Sequence, residues 1–155
     1  MTRKRCHRRV LPALPPRCLR TKLQPDQVTD LALAHLTNLD LISKGQANED
    51  EMWQMVAGVL TWSKAAELLG EGIPEMQAQL ELATRVVERY GRTGRIGFTG
   101  LEYQAAKLGV DIMDALAISV DKVTAVAAAE WSELQVNKLA AQCPVKPCPI
   151  GLGQQ

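Results

Sequence analysis

The 155-residue sequence predicts an all-α domain, an irregular bundle of four main helices plus one short helix, led by an extended basic arm. Three observations predict it. Apolar side chains recur at threes and fours through most of the chain, the spacing of one helix face. Aromatics are only 4% of the residues while Ala, Leu, Val, Glu and Gln dominate, a mixture that favours helix over sheet. Asn48 and Thr99 each precede an acid by three residues, and glycines come after the periodic stretches, as helix starts and stops require. A single domain of this length buries about 68 to 70% of the surface its unfolded chain exposes, so one core is expected.

Residues 1 to 24 read as the arm, because Pro12, Pro15 and Pro16 deny it helix and few apolar side chains could anchor it. The first helix starts near Pro25, a favoured first-turn residue, with Asp26 and Asp30 suiting the helix dipole. Its expected buried stripe is Val28, Leu31, Ala32, His35, Leu36, Leu39 and Ile42, and Gly45 ends it. Asn48 with Glu51 forms a capping-box pattern that opens the second helix. That helix runs to about Leu69 and buries Met52, Trp53, Val56, Val59, Leu60 and Ala66, with Gly70 and Gly72 as its stop. The third opens at Pro74, carries Met76, Leu80, Ala83, Val87 and Tyr90 on one stripe and closes at Gly91. GRTGRIGFTG, with glycines at 91, 94, 97 and 100, reads as a loop. Thr99 and Glu102 then cap a short helix over Gly100 to Leu108, with Gly109 as its end or a kink. The longest helix is expected from Val110 to about Ala141, with Met113, Leu116, Val120, Val123, Ala127 and Leu134 at near-heptad spacing. Alanines at 115, 117, 125, 127, 128 and 129 suit close helix packing. Residues 143 to 155 read as a frayed Cys/Pro tail.

No apolar run approaches the roughly 20 residues that span a bilayer. Nor does the short, proline-broken stretch Val10 to Leu14 make a secretory signal, so a cytoplasmic protein without a membrane partner is expected. Cys6, Cys18, Cys143 and Cys148 all lie in the two ends, which reads as reduced thiols and not as a disulfide framework.

Charge is the strongest functional signal. From Arg3 to Lys22 the chain carries eight Lys/Arg and no acid. Of 18 basic residues this leaves 10 against 17 acids, a net charge of −7 for the remainder. Arg3, Lys4, Arg5, Arg8, Arg9, Arg17, Arg20 and Lys22 therefore form a candidate polyanion-binding segment, blind to base sequence. The plainer alternative is a solvated terminus, or one docked on its own acidic body. Arg92 and Arg95, among the glycines that lead into Thr99, form a candidate anion loop, since backbone amides and helix N-termini favour negative charge. A structural connector is the competing interpretation, because the P-loop pattern is absent.

Two windows, Ala65 to Gly70 and Gln104 to Val110, share the rhythm of a helix-turn-helix. Acids on the helices after them, among them Glu71, Glu75, Asp111, Asp114 and Asp121, oppose entry into a groove between phosphates. Cys6, His7, Cys18, Cys143 and Cys148 lack the CxxC spacing of structural zinc sites, so neither metal nor cofactor is expected. His7 and His35 have no nucleophile that the sequence brings near them. His35 reads as a hydrogen-bonded core residue, and no catalytic residue is assigned. Trp53 and Trp62 are nine apart on one helix and so point in roughly opposite directions. Trp62 is expected to be the exposed one, facing a partner.

RKRCHRR in the arm, the Gly45 to Ala47 turn before NEDEMW, and ERYGRTGRIGFTGLE together resemble a pattern in small uncharacterised proteins of prophages and other bacterial mobile elements. The resemblance spans most of the chain. It implies a bacterial or phage cytoplasmic accessory protein and carries over no catalytic residue. The expectation is then a non-enzymatic nucleic-acid-binding protein acting through the arm. The alternative is a protein-interaction module, a host-factor inhibitor or an assembly component, acting through the acidic helical body. The last helix either seals its own bundle or pairs with a copy of itself, which leaves a homo-oligomer open.

Overall fold

The computed structural model describes residues 21–142. These form five helices: α1 Pro25–Ser43, α2 Glu49–Leu69, α3 Ile73–Thr93, α4 Gly100–Ser119 and α5 Lys122–Gln142. The arm from Arg3 to Arg20 and the tail from Cys143 lie outside the described residues.

The first two helices start where local chemistry directs. Gln27 Oε1 accepts from the backbone N–H of Gln24 at 3.0 Å, ahead of Pro25. Asn48 Oδ1 accepts from the N–H groups of Asp50 and Glu51 at 2.8 and 3.2 Å, while Glu51 Oε2 accepts from Asn48 N–H at 2.6 Å. A cap of this kind contributes about 1 kcal/mol.

The third helix outruns its expected end at Gly91 and stops at Gly94, whose φ of 66° no helix continues. A single glycine inside a helix costs about 1 kcal/mol and is tolerated. A left-handed residue ends it.

The short helix over Gly100 to Leu108 and the long one from Val110 do not exist as separate elements. The chain runs helically through Gly109 to Ser119 and breaks instead at Val120 and Asp121. Two interactions explain the displaced boundary. A Cβ on Gly109 would lie 2.3 Å from the Gln79 carboxamide, so this glycine is present to let α3 and α4 approach. Gln79 Nε2 donates to Ala105 O at 3.0 Å across that contact. At the true break Val120 is fully buried in extended conformation, and the Asp121 carboxylate accepts from Thr124 N–H and Thr124 Oγ1, both at 2.9 Å. Asp121 is thus the cap that starts α5.

The packing has a simple order. Each of α1 to α4 touches the next, α4 returns to α1, and α5 lies outside this ring against α2. One apolar cluster joins Val56, Leu60, Met76, Met113, Leu116 and Val120, and a second joins Leu39, Met52, Leu82, Val86 and Val110. The α2/α5 seam is made of small side chains, Ala65, Ala128 and Ser132, all nearly inaccessible, with Thr61 Oγ1 2.7 Å from Ser132 Oγ. Close approach of two helices needs such residues, and Ala128 fills the role expected of the alanines. Two residues of the expected stripes face outward instead. Leu36 and Leu134 are exposed, because neither α1 nor α5 is covered on that side by a described residue.

Candidate functional site

At the end of the molecule where α3 hands over to α4, one arginine organises the whole turn. Arg89 Nη1 donates to Gly97 O at 2.6 Å, and Nη2 donates to both oxygens of Glu102 at 2.6 and 2.8 Å. Glu102 Oε2 also accepts from Thr99 N–H at 2.8 Å, and Thr99 Oγ1 accepts from Glu102 N–H at 3.3 Å. The Arg89 guanidinium holds the Glu102 carboxyl below the usual range, with burial working against it. A carboxylate thus already occupies the start of α4, where an external anion would have to bind.

Arg92 is exposed in the last turn of α3, where its charge suits the helix dipole. Arg95 is exposed as well and borders an open depression of about 460 Å³ that Glu49 and Tyr90 also line. Glu49 accepts from Tyr90 Oη and from Trp53 Nε1, each at 3.3 Å. A carboxylate in its lining makes this a poor cradle for phosphate. The two exposed arginines remain a surface feature and not a pocket.

Lys22, the one residue of the basic segment among those described, is exposed at the opposite end. Its neighbour Thr21 accepts through its carbonyl from Lys122 N–H at 2.8 Å, so the chain enters the body beside the start of α5. Between this point and the Arg92/Arg95 end lie the 20 residues of α4, about 30 Å at 1.5 Å per residue. Arg3, Lys4, Arg5, Arg8, Arg9, Arg17 and Arg20 lie outside the described residues, as do Cys6, His7, Cys18, Cys143 and Cys148. Among the described residues no three His, Cys, Asp or Glu gather as a metal site would require.

The tryptophan expectation is reversed. Trp62 is 3% exposed, and its Nε1–H donates to His35 Nε2 at 2.9 Å with the rings edge to face. The central position of α2 explains this: Trp62 points toward α1, whose His35 meets its indole, and is covered there. With Nε2 accepting, neutral His35 carries its proton on Nδ1. Burial lowers the His35 pKa, partly opposed by Asp114, and burial raises that of Asp114, which His35 counteracts and Asp111 reinforces.

Trp53 is the half-buried one, and it marks a feature that sequence periodicity does not reveal. An apolar groove of about 370 Å³ lies between α2, α3 and the last turn of α5. Trp53, Val56 and Leu60 form one wall, Leu80, Ala83 and Val87 another, and Leu139 overhangs it, with Thr84, Glu88 and Gln142 at the rim. The groove exists because α3 buries Gln79, Leu82 and Val86 beside Met76 and Ala83 of the expected stripe, so its buried face is wider than that stripe and turned partly away from Leu80 and Val87. Leu80 and Val87 are left half-covered. The signal in the sequence is that α3 has two apolar rows where one interface needs only one. The groove has the chemistry of a docking surface: apolar walls, a single carboxylate, and no nucleophile paired with a base.

The helix-turn-helix window from Gln104 to Val110 is continuous helix and contains no turn. Among the described residues no helix is long and apolar enough to cross a membrane. Comparison with known proteins finds no matching family model, no similar curated protein and no similar solved structure.

Proposed function

We propose that this chain is a non-enzymatic accessory protein, of the mobile-element kind that its motifs resemble, and that it binds nucleic acid through its basic N-terminal arm without regard to base sequence. The uneven distribution of charge carries this reading. Eight Lys/Arg and no acid fall between Arg3 and Lys22, while the remainder of the chain has a net charge of −7. An acidic body repels phosphates at close range, but with a screening length of about 10 Å at 0.1 M salt a polyanion held farther than that from the body escapes most of the repulsion. Arg92 and Arg95 act as a second contact only for a nucleic acid long enough to pass from one end of α4 to the other.

Deleting residues 1 to 22 is expected to abolish retardation of duplex and single-stranded DNA in a gel, and undiminished retardation overturns the proposal. For the intact chain each phosphate contact on a duplex contributes about −0.9 to the slope of log K against log salt, so a slope of several units is expected. The groove beside Trp53 favours a second function, docking of an apolar protein segment on the acidic body. Partners captured from a bacterial lysate that survive nuclease treatment and deletion of the arm belong to this second function.

A further inference from the structure

We propose that α5 pairs with α5 of a second copy of this chain, antiparallel, about a two-fold axis through Val126. The reason lies first in where α5 sits. It is outside the ring of the other four helices and packs against α2 alone, using Thr124, Ala128 and Ser132. A helix in that position is expected to be polar on its outer side. This one is not. Lys122, Val123, Val126, Ala127 and Glu130 together line one shallow depression on the outer side of α5. Val126 is 56% exposed there.

The charges at the two ends of this depression decide what covers it. Lys122 stands four residues before Val126 and Glu130 four residues after it. When two such helices run antiparallel with Val126 against Val126, residue 126 plus n meets residue 126 minus n of the other copy. Lys122 then faces Glu130 of the second copy, and Glu130 faces its Lys122. The apolar floor closes on itself between two ion pairs. A surface whose halves complement each other in this way is the requirement for a closed, isologous dimer. Flanking ion pairs of this kind set partner and orientation in paired helices. An unrelated partner would have no need for the symmetric spacing.

An interface built on one helix face falls at the small end of the size range, so a weak, concentration-dependent dimer is expected. The charges supply specificity more than affinity.

The test uses nuclease-treated full-length protein in sedimentation equilibrium up to a few hundred micromolar. Both charge variants retain the fold on physical grounds. Lys122→Glu puts an acid in the first turn of α5, where the dipole favours it, and Glu130 is exposed in mid-helix. Circular dichroism checks this. Lys122→Glu alone sets acid against acid and Glu130→Lys alone sets base against base, so each is expected to weaken self-association by about tenfold or more. An equimolar mixture of the two variants restores both ion pairs in the mixed dimer, and association is expected to return to the native level. Val126→Glu, at an exposed position, is expected to abolish pairing without unfolding the chain. A native protein that is monomeric throughout the range overturns the proposal. So does a dimer indifferent to the three substitutions, or a mixture that fails to recover.

Discussion

At the scale of single residues, the structure is governed by a few contacts whose partners are far apart in the sequence. Gly109 is the clearest. Helix propensity alone favours Gly109→Ala by about 1 kcal/mol. The added methyl would meet the buried Gln79 side chain at 2.3 Å, and moving Gln79 breaks its bond to Ala105 O. Overpacking of this kind costs about 1 to 3 kcal/mol. Gly109→Ala is therefore expected to be destabilising in urea denaturation, and much less so when Gln79→Ala has first removed the obstruction. His35 supplies a second case. Its pKa is held below the ordinary 6.5 by burial, so the unfolded chain takes up a proton first as the pH falls. Its contribution to stability is present above 6.5 and is lost as the pH drops below that value. Glu102, also lowered, acts in the same direction at more acid pH, whereas Asp114, raised from its usual 3.8, acts against both. The melting temperature of the native protein is expected to fall on acidification through 6.5. His35→Gln, which keeps an acceptor within reach of Trp62, is expected to flatten that fall.

At the scale of elements, the segment between α3 and α4 depends on Arg89. It joins the last turns of α3 to Gly97 in the connection and to Glu102 at the start of α4. Arg89→Ala leaves a mostly buried carboxylate with only the half-exposed Arg85, 3.8 Å away, and the Thr99 N–H as partners. Breaking a fully buried pair costs about 3 to 5 kcal/mol, and the Arg89 side chain is 28% exposed, so a loss of about 2 kcal/mol is expected in urea denaturation. Adding Glu102→Gln to Arg89→Ala should recover part of it, since no uncompensated charge is left. Element starts are well marked in the sequence wherever the signal is local. Pro25, Asn48 and Thr99 each open a helix as expected, because a cap is completed within four residues. The boundary between α4 and α5 is illegible for the opposite reason. Gly109 resembles a stop when only its propensity is weighed, and the Gln79 side chain that it accommodates is roughly thirty residues away. Asp121 reads along the sequence as one acid among several, although with Thr124 it forms the cap that starts α5.

At the scale of the whole molecule, composition and periodicity suffice for an all-helical chain, but the division of labour among helices is not visible in them. That α2 is central, touched by all four others, decides which tryptophan is buried and which borders the groove. No count along one helix carries that information. The charge division is fully legible, being a property of sequence alone, and the distance between the two basic features is not. The stitch between Thr21 and Lys122 adds one thing more. In the antiparallel pair the two Lys122 residues are eight positions apart along a shared axis, about 12 Å. The two chains therefore enter their bodies at Thr21 as close neighbours, and on the proposed function a polyanion held by one basic segment is presented to the other at high effective concentration. Valency, more than the affinity of either strand of arginines, would then govern how firmly the assembly holds on.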